Sequence, residues 1–278
     1  MMNQFSHIFF ASDFDHTLSD TSGAIPPENL RAIRDFMAAG GIFTVNSGRS
    51  IPMFRKKAAL VPVNAPCILY NGAACYDYST DELLFAEPLP DIREVLLRLP
   101  EPEDSVRIEL QTRHRHYVIG HDAQRDAYLT ESGVPFTYIT RRDVPPEPYL
   151  KAGVYGFARG KGYEKHSQVA AEEIARFDAL EAFLRENSGG RYSVSHSMPR
   201  ILEIYSAQCS KGKAARALAQ RYGREILVCA GDAPNDLPML READLAFCPA
   251  DCDPALRNFP KAAACGDGTI ADIIDRLL

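Results

Sequence analysis

Two aspartates close an apolar run in Ile8-Phe9-Phe10-Ala11-Ser12-Asp13-Phe14-Asp15-His16-Thr17-Leu18. In an extended segment alternate residues share a direction, so Asp13 and Asp15 converge beyond the strand end. Two carboxylates at the mouth of a buried strand suit a divalent cation and an in-line phosphoryl transfer. The same spacing also suits a solvated turn in which Asp bonds its own backbone, so the rest of the chain has to supply further parts. Three more apolar runs end in polar clusters: Ser47-Gly48-Arg49, Asn71-Gly72, and Gly231-Asp232 followed by Asn235-Asp236. Lys211 opens the helix before the last of them. Each cluster has a plainer reading as well: a solvated lysine, a turn dipeptide, a helix cap.

The elements that would position these clusters alternate in type. After the opening loop, Pro26-Pro27-Glu28-Asn29 introduces a helix with Leu30, Ile33 and Met37 on one face, stopped at Gly40-Gly41. Ile42–Val45 reads as a second buried strand, about Pro52 to Leu60 as a helix, and Cys67–Tyr70 as a third strand. Strand and helix in alternation indicate right-handed parallel crossovers. The pattern returns after residue 210, with a helix from Lys211 to Tyr222 and a strand at Ile226–Ala230. A short helix, strands at Leu245–Cys248 and Ala262–Cys265, and a helix from Thr269 to Leu278 follow. Open parallel sheets bind ligands beyond the carboxyl ends of their strands, so all the polar clusters are expected at one rim.

Residues 80–205 differ in character. Val106–Leu110 and Ile201–Tyr205 alternate with period two, as in an antiparallel sheet with one face covered. Further strands are expected at Tyr117–Ile119, Val154–Ala158 and Tyr192–His196, with helices at about 122–132 and 166–187, the latter carrying Val169, Ile174, Phe177, Leu180 and Leu184. The expected organisation is therefore α/β: a Rossmann-like parallel-sheet core formed by residues 1–79 and 206–278, and an inserted α+β cap at 80–205. Arg113-His114-Arg115-His116 reads first as a solvated hairpin turn, although alternation would also put both histidines on one face of a lid. His196 and Arg200 are further cap candidates.

With 278 residues the chain is long enough for one large domain or two modest ones. A net charge of −6 argues against nucleic acid as the main partner. No apolar stretch approaches the ~18 residues that span a bilayer, and the first residues lack the pattern of a secretory signal. Seven cysteines include no Cys-x-x-Cys pair. Cys248 and Cys252 have no second pair at zinc spacing, and an odd number without a framework suits a reducing compartment. A cytoplasmic location with no membrane partner is expected; the oligomeric state is left open.

Taken together, the motifs resemble the haloacid dehalogenase superfamily of phosphatases, in its Cof-like, type IIB group with a large inserted cap of the C2 kind. Asp13-Phe14-Asp15-His16-Thr17-Leu18 resembles the first family motif, Ser47-Gly48-Arg49 the second, Lys211-Gly212 the third and Gly231-Asp232 with Asn235-Asp236 the fourth. Asn71-Gly72 matches a recurrent element of the group. The resemblance implies that Asp13 is the nucleophile, Asp15 the general acid and base, Ser47 a donor to the phosphoryl group, and Lys211 its electrostatic partner. It implies Mg2+ held by Asp13, the Asp15 backbone and Asp232, with Asp236 in support, and substrate contacts from Gly48, Arg49, Asn71, Gly72 and Asn235. The implied substrates are small phosphorylated metabolites, sugar phosphates or phosphorylated cofactors. A phosphomutase, and a catalytically silent phosphosugar-binding regulator, are the competing readings. His16 departs from the family pattern, where Gly is common.

Overall fold

The residues of Ile8–Ser12 are apolar or small, and all five are buried, as a strand covered on both faces requires. The structure is a computed structural model that describes residues 4–100, 106–156, 171–198 and 200–278. Strand β1 (Ile8–Ser12) is followed by α1 (Pro27–Ala38), β2 (Ile42–Val45), α2 (Ile51–Ala58), β3 (Cys67–Leu69), β4 (Ala74–Asp77) and β5 (Glu82–Ala86). Next come α3 (Arg93–Leu97), β6 (Arg107–Gln111), β7 (His116–Ile119), α4 (Ala123–Glu131), β8 (Phe136–Tyr138), β9 (Lys151–Tyr155), α5 (Ala171–Glu186), β10 (Tyr192–Met198) and β11 (Ile201–Ser206). The last elements are α6 (Lys211–Arg221), β12 (Ile226–Ala230), α7 (Leu237–Glu242), β13 (Leu245–Pro249), β14 (Lys261–Ala262) and α8 (Thr269–Asp275).

The chain divides into two compact units. The first holds Met1–Gly48, Lys57–Phe85 and Cys209–Leu278. Its main sheet runs β14-β13-β12-β1-β2, every neighbour pair parallel. From β1 the chain goes to one side to make β2, and it returns on the other side as β12. The switch point therefore lies at the carboxyl end of β1, where Asp13 begins. Helix α6 packs on the sheet through Ala214, Ala215, Leu218 and Ala219 against Phe9, Leu227 and Cys229, small residues letting the helix lie close.

Two details differ from the sequence expectation. The third strand does not extend the parallel ladder. It pairs antiparallel with β4 in a separate sheet, β3-β4-β5, and meets β2 through one parallel bridge, Asn46 to Ile68. The cause is local: Tyr70, Asn71 and Gly72 take φ of 52°, 57° and 94°, which folds the chain back on itself. The buried face of α1 is Asn29, Ile33 and Phe36, with Leu30 and Met37 only half-buried. Asn29 is inside because its Nδ2 donates to the Leu18 carbonyl, while its Oδ1 accepts the Ile270 and Ala271 amides that open α8. A polar residue thus caps a helix that its own sequence neighbourhood gave no reason to expect nearby.

The second unit holds Arg49–Lys56 and Ala86–Gln208. Its six-stranded sheet has the order β10-β11-β9-β6-β7-β8, antiparallel except for β7 and β8, which α4 joins as a parallel crossover. Ile108, Leu110, Ala152, Val154, Leu202 and Ile204 pack with Phe177, Leu180 and Leu184 of α5 in one apolar core. Val169 and the far end of the strand expected at Val154–Ala158 lie outside the described residues. The hairpin turn falls at residues 112–115, where the Thr112 amide donates to the Arg115 carbonyl. His114 is exposed in that turn and His116 is buried in β7, so the two histidines do not share a strand face.

Candidate active site

Asp13 continues the β1–β12 ladder for one more step: its amide donates to the Ala230 carbonyl at 2.8 Å. The chain then leaves the sheet in a tight turn, with Asp15 extended at φ −73°, ψ 129° and His16 left-handed at φ 58°. A left-handed residue is where Gly is least strained and where His is tolerated. The His16 departure is therefore a matter of backbone conformation.

Lys211 reaches the end of β1 from the first turn of α6. That helix begins at Ser210, whose hydroxyl accepts the Lys213 amide. The ammonium is buried and donates to Asp13 Oδ1 at 2.5 Å and to Asp236 Oδ1 at 2.6 Å. Burial alone would lower its pKa, but the two carboxylates outweigh that and raise it, so Lys211 stays charged. Asn46 fixes its backbone, Nδ2 donating to the Lys211 carbonyl at 2.8 Å.

The other oxygen of Asp236 accepts the Asp232 and Ala233 amides, both at 3.0 Å. Asp236 is thus spent on holding Lys211 and the loop that presents Asp232. Asp232 in turn accepts a hydrogen bond from Thr17 Oγ1 at 2.9 Å. Asp13, Asp232 and Asp236 each bring a carboxylate oxygen within 4.8 Å of the others. Burial pushes the Asp13 carboxyl well above its ordinary range, against the pull of Lys211 and with help from Asp236, Asp232 and Asp15. Burial, then Asp236, lifts Asp232 to about 7. One ammonium cannot neutralise this many carboxylates. A hard dication with oxygen donors fits the deficit, and Mg2+ suits it because it binds through one or two carboxylates and keeps waters. Asp13 and Asp232 would hold it, with Asp236 behind them; the Asp15 carboxylate is outside the group.

Ser47 is 1 % exposed, its amide donating to the Ile68 carbonyl and its own carbonyl accepting the Asn71 amide. That bond joins the second cluster to the third. Gly72 then packs on the start of α6: a Cβ there would lie 2.2 Å from the Ser210 carbonyl oxygen and 2.8 Å from the Lys211 amide nitrogen. Gly72→Ala should cost about 1–3 kcal/mol through this clash and its positive φ. A denaturant midpoint equal to wild type would show that the turn can move away from Lys211. Asn235 is 8 % exposed, and its Oδ1 has no hydrogen-bond partner among the described residues.

Arg49 belongs to the second unit, donating to Tyr128 Oη at 2.5 Å with its guanidinium 5.9 Å from that ring. Two residues of the site carried no assignment from sequence. Thr17 continues the alternate series Asp13, Asp15, and Asn46 closes β2, so position was the available signal for both. The cap candidate His196 bonds Glu181 at 2.8 Å beside Phe177.

The fold and this acidic, lysine-paired rim define a hydrolase core of the α/β class carrying an inserted α+β unit. The chain belongs to the haloacid dehalogenase-like hydrolases, whose family model matches residues 10–262. It is 26% identical over 262 residues to a 5-amino-6-(5-phospho-D-ribitylamino)uracil phosphatase of Bacillus subtilis, with 84% of each chain covered. It is 22% identical over 232 residues to an HMP-PP phosphatase of Serratia proteamaculans, covering 83% of this chain and 79% of that one. Among solved structures it matches a haloacid dehalogenase-like hydrolase from Bacteroides thetaiotaomicron with a TM-score of 0.77 and 16% identity, over 98% of this chain and 100% of that one. A subclass IIB sugar phosphatase gives a TM-score of 0.75 with 14% identity, over 97% and 99%. The chain is accordingly an enzyme, a hydrolase of the phosphatase type. Among the described residues no helix is long and apolar enough to cross a membrane.

Proposed function

We propose that the chain is a Mg2+-dependent phosphomonoesterase that works through an aspartyl-phosphate on Asp13. The observation that carries this reading is the Asp13–Lys211–Asp236 ion group at the switch point, with Asp232 in the same cluster. An Asp13 oxygen attacks phosphorus as the ester bond breaks, and Asp15 gives its proton to the departing alcohol oxygen. Asp15 then takes a proton from the water that cleaves the aspartyl-phosphate, which frees Asp13. Lys211 holds charge on the attacking side, where electrostatic stabilisation of the phosphoryl oxygens supplies most of the rate. The Ser47 hydroxyl donates to those oxygens, and Gly48, Arg49, Asn71, Gly72 and Asn235 contact the substrate. Bound Mg2+ would screen the carboxylates from an anionic substrate.

The substrates are small phosphorylated metabolites, sugar phosphates or phosphorylated cofactor precursors. The names of the Bacillus subtilis, Serratia proteamaculans and subclass IIB relatives favour that class. All seven cysteines are without disulfide partners, which agrees with work in the cytoplasm. The test is phosphate release from a panel of such esters, with Mg2+ and with a chelator. Metal-dependent release supports the assignment. Release untouched by the chelator would remove the metal from it, and no release from any ester would remove the reaction.

A further inference from the structure

Asn46 follows β2, and its backbone carries the sheet one step further. Its amide donates to the Ser12 carbonyl at 2.8 Å, and it pairs in parallel with Ile68. The first contact ties it to the residue before Asp13, and its own carbonyl leads directly into Ser47. The side chain adds two further ties. Nδ2 donates to the Lys211 carbonyl at 2.8 Å and lies 3.2 Å from Met239 Sδ. Met239 belongs to α7, three residues after Asp236. A single buried residue thus joins the segments that carry Asp13, Ser47, Lys211 and Asp236, all within the first compact unit.

The fold does not require the side-chain ties. A carbonyl at the start of an α-helix accepts an amide from within the helix, and the orphan carbonyls are the last four. Lys211 opens α6, so its carbonyl has a partner without Asn46. That carbonyl can only accept, which sets the amide nitrogen against it and turns Oδ1 away. Oδ1 is buried and has no hydrogen-bond partner among the described residues, and a buried acceptor left so lowers stability. Its neighbours Val45, Ile68 and Met239 are buried and apolar, so an apolar side chain would pack there without that cost. A local rule broken at the meeting point of four functional segments marks a functional residue.

We propose that Asn46 is a positioning residue for phosphoryl transfer: its amide holds the first turn of α6 in register with the end of β2, so that the Lys211 ammonium and the Ser47 hydroxyl meet one phosphoryl group. Its role rests on the proposed parts of Lys211 and Ser47 in the reaction. The Lys211 backbone is gripped from two sides. Gly72 packs against its amide nitrogen, and Asn46 holds its carbonyl. Both grips come from segments bonded to Ser47, whose carbonyl accepts the Asn71 amide. Without Nδ2 the helix keeps its cap and its internal bonds, and the carbonyl side of the turn is free to shift against β2. The ammonium stays with Asp13 and Asp236 but loses its aim at the phosphoryl oxygens. A misplacement of ~1 Å costs up to about 10^2-fold in rate. The loss falls on kcat, because the ammonium acts most strongly where charge develops in the transition state.

Asn46→Ala and Asn46→Leu both remove the donor, and the second keeps most of the volume. Steady-state phosphate release with Mg2+ gives kcat and KM for the wild type and both variants. Orthovanadate, which adopts the five-coordinate shape of the group in transfer, is compared with inorganic phosphate as an inhibitor. The expected result is a kcat lower by about 10- to 100-fold in both variants, with KM within about twofold of the wild type. Orthovanadate should bind roughly tenfold more weakly or worse, and phosphate as before. A wild-type kcat in either folded variant would overturn the positioning role. So would an equal loss of affinity for orthovanadate and phosphate, which would mean uniform binding. If neither variant folds, Asn46 is a folding residue and the role is lost as well. Release by the wild type with unchanged variants overturns this role alone, whereas no release by the wild type from any ester overturns the phosphatase assignment and this role with it.

Discussion

An Asp13→Asn enzyme is expected to release no measurable phosphate and, in metal-free buffer, to resist heat better than the wild type. The first half follows from the nucleophile: an amide cannot form the acyl phosphate, and losing a covalent catalyst costs roughly 10^4-fold or more. The second half follows from the surroundings. The Asp13 carboxylate is buried and faces Asp236, Asp232 and Asp15, with Lys211 alone favouring its charge. Its folded pKa is raised above the ordinary value of 3.8, so its contribution to stability is present below 3.8 and lost as pH rises through the folded pKa. At neutral pH without a cation the ionised group is a net cost. Asn keeps the shape and removes the charge, and Lys211 retains Asp236. Saturating Mg2+ should reverse the order, because it stabilises the state that binds it and the wild type offers one more carboxylate. Thermal unfolding of both proteins, in chelator and in Mg2+, checks both signs. A variant less stable than wild type in chelator would mean that the Lys211 attraction exceeds the crowding of the carboxylates.

This trade of stability for function explains what could be read in the sequence. The strands that end at the rim are runs of residues too apolar to be anything but buried: Ile8–Ser12, Ile42–Val45 and Ile226–Ala230. They sit next to residues too polar to be anything but exposed or functional. That contrast marks both the sheet and the site, and it placed Asp13, Ser47, Asp232 and Asp236 at strand ends. What it does not show is which residues hold the functional ones. Thr17 and Asn46 act through hydrogen bonds between segments far apart in sequence, 215 residues for Thr17 to Asp232 and 165 and 193 for Asn46 to Lys211 and Met239. No local pattern encodes such a distance. The reversal at Tyr70-Asn71-Gly72 was hidden for a related reason. Asn-Gly signals a turn, yet the apolar run before it fits a parallel strand as well as an antiparallel one.

The second unit shows a different limit, and it leads to the largest expected effect on stability. Period-two alternation in β6 gives one apolar face, and its other face, Arg107, Glu109 and Gln111, reads as solvated. All three are buried, at 3 %, 0 % and 1 % exposure. Alternation reports two faces and cannot say that the polar one is covered. Glu109 is what makes that burial tolerable. Its Oε1 accepts Arg107 Nε at 2.9 Å and Arg125 Nε at 2.8 Å, and its Oε2 accepts Arg125 Nη2 at 3.0 Å. Tyr155 donates to Oε2 as well, and His116 Nδ1 lies 3.3 Å from it. Asp126 takes the other side of Arg107 at 2.8 Å. Burial keeps His116 below its ordinary pKa despite Glu109, with Arg125 and Lys151 adding to the effect. A neutral imidazole then donates from Nδ1 to Glu109 and accepts at Nε2 from the Ser50 hydroxyl, 2.9 Å away.

Glu109→Gln should therefore destabilise this unit by about 3–5 kcal/mol, the range for removing one partner of a buried ion group. Two guanidiniums are left facing one neutral amide whose nitrogen offers them only more donors. The pH dependence separates this from a simple packing loss. Burial would raise the Glu109 carboxyl, but Arg125 and His116 outweigh it and hold it well below 4.5. A depressed carboxyl contributes stability above 4.5 that is lost as pH falls through its folded pKa. His116, also depressed, adds an earlier loss, beginning as the unfolded imidazole takes up a proton near 6.5. The variant keeps the histidine step and lacks the carboxylate step, so its deficit should narrow as pH falls below 4.5. Denaturant unfolding at neutral pH and again in acid measures both quantities. A deficit under ~0.5 kcal/mol at neutral pH, the size of an ordinary surface change, would mean that Arg107 and Arg125 find water instead of one another's counter-ion. A deficit that stays constant into acid would assign the loss to shape, and the charge of Glu109 would then carry none of it.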